Sequence, residues 1–249
     1  MFRVLNQIRP CRSTDIKHLL HSAGHFVQHL MIGSDSSLSS FRLDLSESCP
    51  NLYNLAIHLP WEWDEVKSNN LSHMLQGLQR LTRLTVWSPC LSYADILIRP
   101  CFFPNLTHLQ LLLPTRGQDY YSWENWDVFA QFPKLTHITM AATFQSREDV
   151  LKLLHDRSSF PLLELLVVIP WIPMYHHRQS LEVEAEALSH NNVKDKRLVM
   201  LAQMVFIDAI VDWEKGANGG VDMWRFAELV VFARESEYFA FLYMLFPLM

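Results

Sequence analysis

One string recurs along this chain and constrains its fold more than any other feature. It reads apolar-x-x-apolar-x-apolar, usually behind a proline. It occurs as Pro50-Asn51-Leu52-Tyr53-Asn54-Leu55-Ala56-Ile57 and as Pro104-Asn105-Leu106-Thr107-His108-Leu109-Gln110-Leu111. It returns as Pro133-Lys134-Leu135-Thr136-His137-Ile138-Thr139-Met140 and as Pro161-Leu162-Leu163-Glu164-Leu165-Leu166-Val167-Val168. A copy without proline is Leu81-Thr82-Arg83-Leu84-Thr85-Val86, and a weaker one is Val27-Gln28-His29-Leu30-Met31-Ile32. The first apolar anchors are Val27, Leu52, Leu81, Leu106, Leu135 and Leu163, at intervals of 25, 29, 25, 29 and 28 residues. One such segment could be any short strand; six in register imply a repeated unit.

The intervals fall within the 20–29-residue period of leucine-rich repeats. An open α/β sheet also alternates strands and helices, but it does not need the same string each time. Helical signals fill the intervals. Ser13 or Thr14 can cap a helix with Ile16, Leu19, Leu20 and Ala23 on one face. Asn70 precedes Leu71, Met74, Leu75 and Leu78, Ser92 precedes Tyr93, Ile96 and Leu97, and Ser122 precedes Trp123, Trp126, Phe129 and Ala130. Ser146-Arg147-Glu148-Asp149 is a capping box before Val150, Leu153 and Leu154. The stretch Leu38 to Leu45 is ambiguous between helix and strand. The expected fold class is therefore α/β: a leucine-rich-repeat solenoid over residues 1–200, with one parallel sheet on the concave side and helices on the convex side.

The pattern changes after Ile169. A loop follows over residues 170–178, then a helix from Ser180 to His190, a last strand near Lys196 to Leu201, and a terminal helix from Asp222 to Val230. Residues 201–235 are placed to cap the last apolar face, with Trp213 and Trp224 packing near the last repeats over Leu166, Val168 or neighbouring apolar groups. Residues 236–249 form an apolar tail, too short to span a bilayer.

In these repeated segments the chain resembles the leucine-rich-repeat region of F-box-like proteins of mushroom-forming fungi. The [FC]-P-x-L-x-x-L-x-apolar segments carry the resemblance, as does the piece from Val211 to Ala227, with Asp212-Trp213, Gly216, Gly219-Gly220, Asp222 and Trp224. The resemblance covers about residues 1–235. It implies the substrate-recognition region of a ubiquitin-ligase receptor. The F-box that grips a Skp-type adaptor is not among these residues, so that adaptor is a partner only if an F-box is supplied upstream.

Composition narrows the function classes. Lys plus Arg number 21 against 26 Asp plus Glu, a net charge of -5, which argues against nucleic acid as the partner. Neither a signal peptide nor an apolar run of membrane-spanning length is visible, so no membrane partner is expected. The four cysteines form no CxxC pair and read as buried thiols of an intracellular protein, cytoplasmic or nuclear. GxSxG, HExxH and P-loop strings are missing, and no catalytic residue is assigned. His108 and His137 share one slot in successive repeats, but Arg83 and Leu165 flank them there, a poor donor set for a metal. No metal or other cofactor is expected.

The expected function is non-catalytic binding of a protein or peptide. Strand side chains alternate, so the residue before each inward apolar group should point out of the sheet. That gives two columns: His29, Asn54, Arg83, His108, His137 and Leu165, then Met31, Ala56, Thr85, Gln110, Thr139 and Val167. Loops leaving the strands add His58, Trp61, Trp63, Trp87 and Trp171 as a rim. The partner is expected to lie over Arg83, His108 and His137, with the tryptophans gripping its edge. The competing readings are a structural fragment without a partner and, behind it, an enzyme with an unrecognised site.

Overall fold

The computed structural model describes residues 4–7, 13–33, 44–58, 73–87, 103–112, 127–142, 154–170, 195–201 and 206–235. The chain divides into two compact units, Met1–Thr136 and His137–Met249. The division falls inside the repeat series rather than at residue 200. Each unit is α/β, and its strands pair in parallel.

In the first unit the strands are β1 (Val4–Gln7), β2 (His29–Ile32), β3 (Asn54–His58), β4 (Arg83–Trp87) and β5 (His108–Leu112). Each pairs with the next in chain order. Parallel neighbours need a crossover of a dozen or more residues, which the repeat intervals supply. Register follows the string slot for slot: Leu30 meets Leu55, Leu55 meets Leu84, and Leu84 meets Leu109. The anchors Val27, Leu52, Leu81 and Leu106 are all buried, as are Ile57, Val86 and Leu111.

The returns are helical where they are described. Helix α1 (Ser13–Ala23) buries Leu20 but leaves Leu19 exposed, so its apolar stripe is narrower than expected. The ambiguous stretch after Leu38 ends in a short helix, α2 (Leu45–Ser48), capped by the Asp44 carboxylate. Residues 73–75 are helical and bury Met74 and Leu75. The short α3 (Asp127–Ala130) buries Phe129. The expected helical faces at Leu71, Ser92 to Leu97, Trp123, Trp126 and Arg147 to Leu153 lie outside the described residues.

Strand β1 is an addition to the expected set. Its residue Leu5 meets Leu30 and its Gln7 meets Ile32. Gln7 breaks the apolar-x-x-apolar-x-apolar rule at its last position, which hides the segment from a search on that rule.

In the second unit β6 (His137–Ala142), β7 (Leu165–Pro170) and β8 (Leu198–Met200) pair in parallel. Ile138 meets Leu166, which meets Leu198, and Met140 meets Val168. Ile138, Met140, Leu163, Leu166 and Val168 are buried, as expected. Two helices follow, α4 (Phe206–Ala217) and α5 (Met223–Glu235). The second was expected; the first was not, although Ile210, Trp213 and Ala217 recur at helical spacing and are buried together. The expected helix from Ser180 to His190 and the tail from residue 236 lie outside the described residues. Among the described residues, no helix is long and apolar enough to cross a membrane.

Candidate functional site

The columns expected to face a partner are on the face opposite the leucine ladders, as strand alternation requires. They do not meet solvent there. In the first unit His29 and Asn54 are 4% exposed, Thr85 3% and Gln110 5%. Met31 and Ala56 are also buried, while Arg83 and His108 are half-buried. In the second unit His137, Thr139, Leu165 and Val167 are buried. This corrects the expected open surface: most of the two columns is buried, and among the described column residues of the first unit Arg83 and His108 keep partial access to solvent. Of the tryptophan rim, Trp87 is buried beside half-buried His58 on the neighbouring strand. Trp61, Trp63 and Trp171 lie outside the described residues.

The buried polar groups of the columns engage one another, as enclosure demands. The Tyr53 hydroxyl meets His29 Nε2 at 2.5 Å, and Asn54 Nδ2 lies 3.3 Å from His29 Nδ1. The Thr85 hydroxyl donates to Gln110 Oε1 at 3.0 Å. Thr107 Oγ1 lies 2.8 Å from His108 Nδ1. The first three contacts tie β2 to the β3 repeat and β4 to β5 through side chains as well as backbone, and the last lies within one repeat.

In the second unit the covering element is α5. The Thr139 hydroxyl points at Met223 Sδ, 3.9 Å away, and the His137 ring meets Trp224 edge-on with centroids 5.8 Å apart. Glu228 Oε1 lies 3.7 Å from His137 Nε2. Trp213 and Trp224, expected over Leu166, Val168 or neighbouring apolar groups, are both buried, and Trp224 is placed by its contact with His137. That contact is on the face opposite Leu166 and Val168, because Ile138, paired with Leu166, points away from His137. A helix over that face shields Leu165 and Val167, which a wet sheet would leave exposed.

No protein-family model matches the chain, and no curated protein matches it.

A second polar feature of the first unit was missed by the sequence reading. It runs along the edge where the chain joins each strand. The Thr82 hydroxyl donates to the Tyr53 carbonyl, that of Thr107 to the Thr82 carbonyl, and that of Thr136 to the Thr107 carbonyl. Outside this threonine ladder lies a comb of longer side chains. Asn51 Nδ2 donates to the His25 carbonyl and its Oδ1 accepts from Arg80. Asn105 Nδ2 donates to the Gln79 carbonyl and its Oδ1 accepts from Lys134. Arg80 and Lys134 are exposed. The signal was in the repeat itself, since these residues immediately flank the anchors Leu52, Leu81, Leu106 and Leu135.

In the second unit Arg197 takes over this edge. It is 7% exposed, and its guanidinium donates to the Leu163 carbonyl at 3.1 Å and to the Leu154 carbonyl. Asp195 holds it from the other side, at 2.9 Å from Nε and 2.6 Å from Nη2. Burial works against the Asp195 charge, but the hydrogen bonds from Arg197 hold its carboxyl below the usual carboxylate range.

Proposed function

We propose that the chain is a non-catalytic protein-interaction module, the target-holding region of an intracellular leucine-rich-repeat receptor of the F-box type. Its repeats form a solenoid, and α4 and α5 belong to its C-terminal cap. It uses no cofactor, and a Skp-type adaptor joins only through an F-box supplied upstream.

One observation carries the reading: the comb Asn51, Arg80, Asn105 and Lys134, one side chain per repeat, half-buried at the two asparagines and exposed at the two cations. Neighbouring strands lie about 4.8 Å apart, so Arg80 and Lys134, two repeats apart, present cations about 10 Å from each other. A protein segment bearing carboxylates, laid across the strands, would meet them in turn. The comb thus replaces the enclosed columns as the surface that takes the partner.

Affinity capture with the wild type and with Arg80→Glu/Lys134→Glu tests this, with circular dichroism to check folding. A protein held by the wild type and released by the folded double variant supports the reading. Fusion to an F-box should then promote ubiquitylation of that protein. Identical captured sets for both forms would remove the comb from the function.

A further inference from the structure

Two acidic side chains converge on the first turn of α5. Asp222 is buried, and its Oδ1 accepts the Arg225 N–H at 2.8 Å, the bond of an N-cap. Asp212, a turn and more back from the end of α4, accepts the Met223 N–H through Oδ2 at 3.1 Å. A helix N-terminus welcomes negative charge, and Asp222 already supplies it. The second carboxylate is half-buried and close to the first. Gly216 makes the convergence possible: a Cβ there would stand 2.2 Å from Asp222 Oδ2.

We infer that this junction is a proton-operated latch, in which protonation of Asp212 tightens the seat of α5 on β6 and ionisation loosens it. The seat is the first turn itself, which carries Met223 to Thr139 and Trp224 to His137. Burial, reinforced by the Asp222 charge, pushes the Asp212 carboxyl up to about 6, against the pull of the Met223 N–H and of Lys215. The folded value lies above that of an opened chain, so ionisation favours opening. Tightness is greatest below the opened-state value near 4 and declines as pH rises through about 6. Lys215 draws Asp212 toward ionisation, and the remaining charged side chains of the first turns of α5 engage each other. Arg225 pairs with Glu228 at 3.0 Å, and Glu228 faces His137.

Hydrogen exchange at the Met223 amide of the full chain, corrected for intrinsic exchange, reads the latch. Its opening constant should rise about ten-fold between pH 5 and pH 7.5. Asp212→Asn keeps an acceptor oxygen for Met223 and should flatten the profile. Asp222→Asn should move the midpoint down. His137→Gln should leave the slope in place; loss of the slope there would assign the effect to the His137–Glu228 pair and overturn the latch. A flat wild-type profile, or an unchanged slope in Asp212→Asn, overturns it as well. Carbon-13 titration of the Asp212 carboxyl gives a direct reading, and a midpoint below 4.5 is equally fatal.

Discussion

Arg234 of α5 donates to the Leu198 carbonyl of β8 at 2.5 Å, and the same nitrogen lies 3.3 Å from the Lys196 carbonyl. Between those two residues, the Arg197 carbonyl turns the other way and accepts from Leu166 on β7. The guanidinium therefore covers the side of β8 that β7 does not use. A bare strand edge is a template for another chain. Arg234→Ala should cost about 1–2 kcal/mol and should promote self-association. Light scattering after size-exclusion chromatography, alongside urea unfolding, would check both effects. A monomer of unchanged stability would deny the residue this role.

Arg197 closes a different gap. Its removal strands the Leu163 and Leu154 carbonyls and leaves the Asp195 carboxylate without its cation. Arg197→Met should lose about 3 kcal/mol at neutral pH. Because the folded Asp195 value is depressed, the pair's contribution is fully present above the ordinary value near 3.9 and disappears as pH falls through the folded value. The gap between wild type and variant should shrink between pH 5 and pH 2.5. A gap constant over that range would show that the ion pair is not its source.

The threonine ladder and the leucine ladder should respond differently to substitution. Thr107→Val keeps the shape but removes the hydroxyl that bonds the Thr82 carbonyl, so about 1 kcal/mol should be lost. Leu109→Ala empties a fully buried site and should lose about 2–5 kcal/mol. Chemical unfolding of both variants makes the comparison. An equal loss at the two positions would contradict the division of labour between edge and core.

The junction between α4 and α5 depends on two glycines, Gly216 in the last turn of α4 and Gly219 beyond it. Gly219 has a φ of 80°, a left-handed conformation that side chains resist. Gly219→Ala should cost about 1 kcal/mol, with open space around the added methyl. Gly216→Ala should cost more, because its methyl drives into the Asp222 carboxylate and displaces the cap. Melting curves should rank the variants in that order, and the reverse order would place the strain elsewhere.

The sequence by itself determined the repeat strands and their register within each unit, while β1, which breaks the rule at Gln7, escaped it. The slot that holds Leu55 also holds Leu84 and Leu109, and these residues meet on neighbouring strands. A side-chain period of two makes that outcome local, because a slip by one residue would turn every leucine out of the core. The same period told which residues lie opposite the leucines. It could not tell whether that face is wet, since enclosure depends on elements distant in sequence. His137 belongs to a repeat string, yet Met223, Trp224 and Glu228 of a helix more than eighty residues later enclose its face. The flanking polar residues were legible too, but only strand pairing turned Thr82, Thr107 and Thr136 into one ladder. The Asp212–Met223 bond was likewise beyond a linear reading, because a carboxylate's partner is set by where the turn folds back, and burial then sets its charge.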